Sequence, residues 1–248
     1  RVESTKQESE IIRSFILVPI DGRQVIRHRP GQYLTFALQV PGTGLIKRNY
    51  SISSGPDDRA YRISVKREAN PGVPPGLASN WLHDHAGPGT VLKVAPPAGE
   101  FFLNEKEDNP VVLLSGGVGL TPVLSMLEQI VRSGSDRPTW YIHGAENGRV
   151  HAMREHVREL ASRAPNVTVR TLYNVPEPRD EPGRHYDQRG LISAEWLARN
   201  TPIDEAVYYL CGPRPFLRAM VGGLARNGAQ LRNIRYEFFG PADELLAA

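Results

Sequence analysis

The sequence predicts a two-part chain, a closed β-barrel followed by a parallel α/β sheet. Two patterns and a boundary predict it. From residue 11 to 103, short stretches of strand-like alternation are broken by frequent Gly and Pro, as in barrels of short strands. Beyond residue 109, apolar strand runs alternate with helical patterns, which reads as a parallel sheet with crossover helices. Between them lies Glu105-Lys106-Glu107-Asp108-Asn109, charged and without an apolar side chain. The boundary is placed there, giving domains at residues 1–107 and 108–248.

In the first half, Ile11–Val18 reads as a strand, with Asp21-Gly22 as the turn behind it. Pro30-Gly31 turns into a strand through Leu38. Arg48–Ser53 and Tyr61–Arg67 alternate as half-buried strands do. After the loop at 70–75, Gly76–His83 reads as a helix whose free N–H groups suit an anion. Leu92–Pro97 closes the barrel. The opening Arg1–Glu10 is polar, so no signal-peptide pattern is expected there, and the strands are read from residue 11 onward.

The second half is organised around Pro110–Pro122. Val111–Leu114 is unbroken and apolar, so it reads as a strand buried on both faces. Gly116, Gly117 and Gly119 follow, with Val118 between them, and then a helical pattern from Leu124 to Val131. Strand, glycine turn and helix together form a phosphate cradle: glycines let the backbone approach an anion, and the helix start supplies N–H groups and a positive dipole end. Thr121 adds a hydroxyl, and Pro122 suits the first helical turn. The spacing is neither G-x-G-x-x-G nor a P-loop. Thr139–His143, Val167–Tyr173, Ala206–Leu210 and Asn233–Glu237 are the remaining strands. Helices are expected at 150–161, 193–199 with Ser193 as N-cap, and 215–226. Ligands of such sheets sit beyond the carboxyl ends of the strands, where Gly116–Thr121, His143–Asn147 and Cys211–Phe216 all fall.

Composition narrows the function. The formal charge of +3, from 30 basic and 27 acidic residues, is too small to point to nucleic acid. No apolar run approaches the ~20 residues that cross a bilayer. The single Cys211 leaves no internal disulfide, Cys-ligated iron–sulfur cluster or Cys zinc site, and no metal site is expected. A lone thiol suits a reducing compartment, and a cytoplasmic location is expected. The chain opens on Arg1, not Met, and is expected to be a piece of something longer.

Taken alone, the polar candidates have two readings each. Arg48 and Tyr50 share a strand face, with Ser51 on the other. They are an ordinary solvated pair, or a guanidinium for a phosphate beside a ring for a planar heterocycle. Cys211 is a small packing residue, or a ligand contact at the strand end. No base is spaced to activate it as a nucleophile.

The ordered set resembles the ferredoxin–NADP reductase superfamily, and within it the reductase part of flavohaemoglobins. The motifs are Arg48-Asn49-Tyr50-Ser51, Ile63–Glu68 with Gly76–Asn80, Gly116–Pro122, Cys211-Gly212-Pro213 and Tyr236–Pro241. The resemblance spans nearly the whole chain. It implies an antiparallel Greek-key FAD-binding barrel followed by a Rossmann-like parallel-sheet nucleotide-binding domain. It further implies that Arg48 pairs the FAD pyrophosphate, Tyr50 packs on the isoalloxazine and Ser51 hydrogen-bonds near flavin N5. Val65 and Lys66 would line the FAD, and Gly76, Leu77, Ala78 and Ser79 would meet its pyrophosphate. Gly116, Gly117, Val118, Gly119 and Thr121 would hold the nicotinamide dinucleotide. Cys211, Gly212 and Pro213 would shape the nicotinamide pocket, with Glu237 and Phe239 at the other flavin face. Ser51, Tyr50, Cys211 and Glu237 are thus the implied catalytic residues.

By the same resemblance, FAD is the cofactor and NADH or NADPH the co-substrate. The implied partner is a separate or fused electron acceptor bearing haem or an iron–sulfur centre. A 2′-phosphate needs Arg or Lys near the adenosine ribose. Glu146 in Gly144–Arg149 argues for NADH, while Arg149 and Arg179 keep NADPH open. Two alternatives stay open: a free-flavin reductase, and a non-catalytic nucleotide-binding module on this fold.

Overall fold

The computed structural model describes residues 1–69, 72 and 74–239. Gly240 and Pro241 of the last motif, and Asn70, Pro71 and Val73 of the loop before the first helix, lie outside the described residues.

The first half forms two three-stranded antiparallel sheets. One orders β1 (Val2–Gln7), β2 (Ile12–Leu17) and β5 (Tyr61–Lys66); the other orders β4 (Gly44–Ser51), β3 (Tyr33–Val40) and β6 (Lys93–Val94). An isolated bridge between Ile52 and Ile63 joins them, and Val2 N–H donates to the Thr90 carbonyl at 2.8 Å on the far side. Phe15, Leu34, Phe36, Leu38, Ile52, Ile63 and Val65 fill the space between the sheets. The helix α1 (Leu77–His85) adds Ala78 and Leu82 to this core. The result is the expected barrel-like fold.

The second half is a six-stranded, wholly parallel sheet. Its order is β10 (Gln188–Arg189), β9 (Val167–Tyr173), β8 (Thr139–Ala145), β7 (Val111–Gly116), β11 (Val207–Gly212), β12 (Ile234–Phe238). The apolar run in β7 is explained by burial on both faces. Val111 and Leu113 pack with α2 (Leu120–Ser133) and α3 (Arg154–Ser162). Val112 and Leu114 pack with α4 (Ala194–Asn200) and α5 (Arg214–Arg226). Ile12, Phe101 and Leu103 of the first half join the α2 side of this core, so the two halves share buried apolar surface. Ser193 caps α4 as expected, accepting from Trp196 N at 3.2 Å.

Besides the unexpected two-residue β10, three elements differ from expectation. The polar opening residues form β1, because pairing with β2 needs only backbone groups and buries Val2. Residues 150–153 are not helical: Met153 takes a left-handed conformation (φ 63°) and α3 starts at Arg154. Here His151, Ala152 and Met153 are buried, and burial overrides the local helical pattern. Cys211 and Gly212 belong to β11 instead of following it, paired in register with Glu237 and Phe238.

Candidate functional site

The sheet order reverses between β7 and β11, whose following helices leave on opposite faces. That crevice is where open α/β sheets take ligands. Gly116, a 3₁₀ turn at Gly117–Gly119 and α2 form its floor. Two glycines are required for distinct reasons. A Cβ on Gly119 would lie 2.1 Å from the Cys211 carbonyl oxygen, so only glycine lets the turn cross β11. Gly117 has φ 55°, the left-handed region, with open space around it. No side chain caps α2 and no acidic residue occupies its first turn, so its positive end faces the crevice unneutralised. Val118 is half-buried against the α2-side core. Thr121 behaves otherwise than an open hydroxyl donor: it is buried and donates to the Val118 carbonyl at 3.1 Å. At the partner strand, Gly212 and Pro213 close onto Gly116.

A second group of candidates assembles at the barrel. Tyr50 rests edge-on against Phe36 with ring centroids 5.6 Å apart. Burial raises its hydroxyl well above the usual phenol range, and the charges of Arg48 and Glu68 both reach it. Arg48 is exposed and donates to the Lys47 carbonyl at 2.7 Å. Lys66 pairs with Glu68 at 3.0 Å. The Glu68 backbone holds the start of α1: its carbonyl accepts from Gly76 N at 2.9 Å and Asn80 Nδ2 at 2.8 Å, and its N–H donates to Ser79 Oγ at 3.2 Å. Val65, Ala78 and Ser79 are buried and Leu77 is exposed. Among the described residues no side chain caps α1, and its first turn carries no acid. Glu68 therefore links Lys66 to the start of α1 at residues 76–80, and the charges of Glu68 and Arg48 both reach Tyr50.

The two groups meet through the end of β4. Ser51 Oγ donates to Glu237 Oε2 at 3.5 Å, linking the barrel to β12. Burial pushes the Glu237 carboxyl up to about 7, partly offset by the Ser51 bond. Burial, and then the Glu237 charge, push the Cys211 thiol up. Cys211 is fully buried in the core, while Phe239 is exposed.

Sequence reasoning missed several buried polar groups. His143 Nδ1 lies 2.9 Å from Ser115 Oγ, its ring lies tilted by 35° against His151 with centroids 4.8 Å apart, and His151 Nδ1 lies 2.9 Å from Tyr173 Oη. Glu128 of α2 and Arg62 of β5 form a half-buried pair at 2.6 Å. Only an acid on the barrel-facing side of α2 hinted at the latter.

Comparison with known proteins agrees with this geometry. Residues 1–103 match the model of the oxidoreductase FAD-binding domain and residues 113–222 that of the oxidoreductase NAD-binding domain. The chain is 48% identical over 241 residues to a flavohemoprotein of Xylella fastidiosa, covering 97% of the chain and 58% of that protein. It is 43% identical over 240 residues to a flavohemoprotein of Bacillus cereus, covering 96% of the chain and 60% of that protein. The chain thus spans about three-fifths of the length of these curated relatives. Among solved structures, it resembles the flavohem-like FAD/NAD binding domain of nitric oxide dioxygenase from Vibrio cholerae (33% identity, TM-score 0.85), covering 97% of this chain and 100% of that one. A cytochrome P450 reductase of Amycolatopsis is similar at 25% identity and TM-score 0.81, with 97% of this chain and 69% of that one covered. Two domain models in order, and a solved relative covered end to end, place the chain in the ferredoxin–NADP reductase superfamily, as an FAD- and NAD-binding oxidoreductase like the reductase part of flavohaemoproteins.

Proposed function

We propose that the chain is an FAD-dependent NADH oxidoreductase that feeds electrons singly to a haem-bearing domain or protein. The observation that carries this reading is the Ser51–Glu237 contact, which brings a barrel hydroxyl and a neutral-range carboxyl to the junction of the two nucleotide sites. The donor set fits FAD. The uncapped start of α1, with Arg48 and Lys66 nearby, suits a pyrophosphate, and the Tyr50 ring suits a planar heterocycle. Bound FAD supplies the redox chemistry, accepting a hydride and releasing its electrons one at a time.

The protein's part is placement and electrostatics. Arg48 and residues 76–79 anchor the pyrophosphate. Ser51 would present its hydroxyl oxygen to the flavin ring near N5, and the bond in which its hydrogen goes to Glu237 orients that oxygen. Glu237 holds a proton up to about pH 7, so no fixed negative charge opposes electrons arriving beside it. The α2 start and the Gly116–Gly119 turn hold the dinucleotide of NADH. Cys211, Gly212 and Pro213 would wall the nicotinamide pocket through backbone and bulk, and the exposed Phe239 ring would cover the flavin face. We divide the two units at residue 107.

NADH is favoured over NADPH by charge. Arg149 pairs with Glu177 at 2.8 Å and Glu10 at 3.2 Å, and Arg179 pairs with Glu177 at 3.2 Å. Each would have to leave a carboxylate to meet a 2′-phosphate. Glu146, at the carboxyl edge of the sheet, accepts from Asn174 at 3.1 Å and suits a ribose hydroxyl. The haem acceptor is favoured because the flavohemoprotein relatives extend well beyond the matched region. A reducing compartment such as the cytoplasm suits the buried single thiol. No helix among the described residues is long and apolar enough to cross a membrane.

The test is an anaerobic absorbance spectrum of the protein with FAD, before and after NADH and then NADPH. Flavin absorbance bleached faster by NADH is expected. Flavin that does not bind, or binds and stays oxidised with both nucleotides, overturns the reading.

A further inference from the structure

Glu128 sits on α2 about two turns beyond the glycine cradle. Its carboxylate gathers donors from three segments. Gly55 N–H donates to Oε2 at 2.6 Å, Arg62 Nη2 donates to Oε1 at 2.6 Å, and His156 Nε2 of α3 lies 2.7 Å from Oε1. Burial alone would raise this carboxyl, but the bonds from His156, Arg62 and Gly55 outweigh it and hold it at about 2. The group is therefore a carboxylate at every working pH.

The network continues toward the flavin side. Arg62 Nε donates to Ser53 Oγ at 3.2 Å, and its Nη2 also donates to the Ser53 carbonyl. Ser53 N–H donates to the Arg62 carbonyl at 2.7 Å. Ser53 follows Ser51 by two residues on the same segment. A neutral bond runs beside the charged one: Ser125 Oγ of α2 donates to the Ser54 carbonyl at 2.6 Å. The helix also lies very close to the barrel, since a Cβ on Gly55 would sit 3.1 Å from Glu128 Cβ.

We infer that Glu128 is a positioning residue for hydride transfer: through Arg62 and Gly55 it locks the helix that begins at the dinucleotide cradle against the barrel segment that presents Ser51. This inference rests on the reading that the chain reduces bound FAD with NADH. The transfer moves one hydride, with both its electrons, from the reduced nicotinamide to the flavin ring, leaving the oxidised nucleotide. Its rate depends steeply on separation: a misplacement of about 1 Å costs about a hundredfold. The Glu128 carboxylate is engaged by Gly55, Arg62 and His156, about two turns from the cradle, so its effect is on geometry. A pair that served stability only would lower the unfolding temperature and leave the saturated rate unchanged.

The experiment is anaerobic stopped-flow reduction of the full, FAD-loaded chain over a range of NADH concentrations. Glu128→Gln is expected to lower the limiting reduction rate about tenfold or more, with FAD content and NADH Kd within about twofold. A limiting rate within about twofold of the unaltered chain, or a loss confined to NADH Kd, overturns the inference. Gly55→Ala keeps every charge but wedges the helix outward by a few tenths of an ångström, and decides the matter if Glu128→Gln does not fold. It is expected to slow the limiting rate about threefold, and an unchanged rate overturns the inference. If the unaltered chain is not bleached by NADH, the functional reading fails and this inference fails with it. If both chains bleach equally fast, this inference fails alone.

Discussion

Ser51 Oγ donates to Glu237 Oε2 across 3.5 Å, although 186 residues separate the two in sequence. The bond ties the end of β4 to β12, and burial brings the carboxyl to about 7. Because the folded-state value is raised, the folded protein binds more protons than the unfolded chain between about 4.5 and 7, and this group's contribution to stability falls as pH rises through that window.

The same titration should appear in the chemistry. Ionised Glu237 places a negative charge where electrons arrive, so flavin reduction by NADH should slow several-fold, about three- to tenfold, as pH rises through 7. Glu237→Gln should hold the low-pH rate across the range. A pH profile of the limiting reduction rate checks this; an inflection unchanged in the variant assigns it to another group.

Arg48 is exposed and, among the described residues, bonds only the Lys47 carbonyl. Arg48→Ala should leave the unfolding midpoint nearly unchanged. It should weaken FAD binding about ten- to a hundredfold, the worth of a charge-assisted bond of about 1.5–3 kcal/mol. The ratio of flavin to protein after gel filtration measures it.

Two neighbouring glycines should respond differently to alanine. At Gly119 the new Cβ meets the Cys211 carbonyl oxygen at 2.1 Å, and the turn and β11 must move apart. A loss of about 3 kcal/mol or more, with weaker NADH binding, is expected. At Gly117 there is room, and only the left-handed backbone is strained, at about 1–2 kcal/mol. Urea midpoints of the two variants separate the steric cause from the conformational one.

The buried histidines should make the α/β half acid-sensitive. Burial lowers His143 to about 4 and, with the charge of His143, lowers His151 further below the ordinary value. Neutral imidazole is favoured in the folded state, so the stability it contributes is complete above about 6.5 and is lost as pH falls toward 4. The loss is up to about 3 kcal/mol for His143. His143→Leu should flatten the fall in urea midpoint between pH 7 and pH 4.5, whatever it costs at neutral pH. His28, also lowered to about 4 by burial, supplies a residual slope.

Glu177 binds both arginines that a 2′-phosphate would need. Glu177→Gln should raise kcat/KM for NADPH several-fold, about three- to tenfold, by freeing Arg179 and leaving Arg149 held by Glu10 alone, and leave the value for NADH within about twofold. Steady-state kinetics with both nucleotides checks the direction.

Much of this molecule was legible in local pattern. The apolar run Val111–Leu114, the glycines behind it, the Ser193 cap and the change from strand-only to alternating elements each depend on neighbours within a few residues. They marked the two halves, the parallel sheet and the crevice edge, and the motif resemblance supplied the roles expected at that edge. Local pattern failed where a distant partner won. β1 exists because backbone groups pair with β2 irrespective of side chains. Residues 150–153 abandon the helix because His151 reaches Tyr173 and the Ala152 and Met153 side chains enter the core. The meeting of Ser51 with Glu237, and of Gly55 and Arg62 with Glu128, were decided by the packing of one half on the other. Side-chain periodicity records which face of an element is buried. It carries no record of which distant polar group will lie opposite that face, because that choice is made only when whole elements dock and every buried donor must find its acceptor.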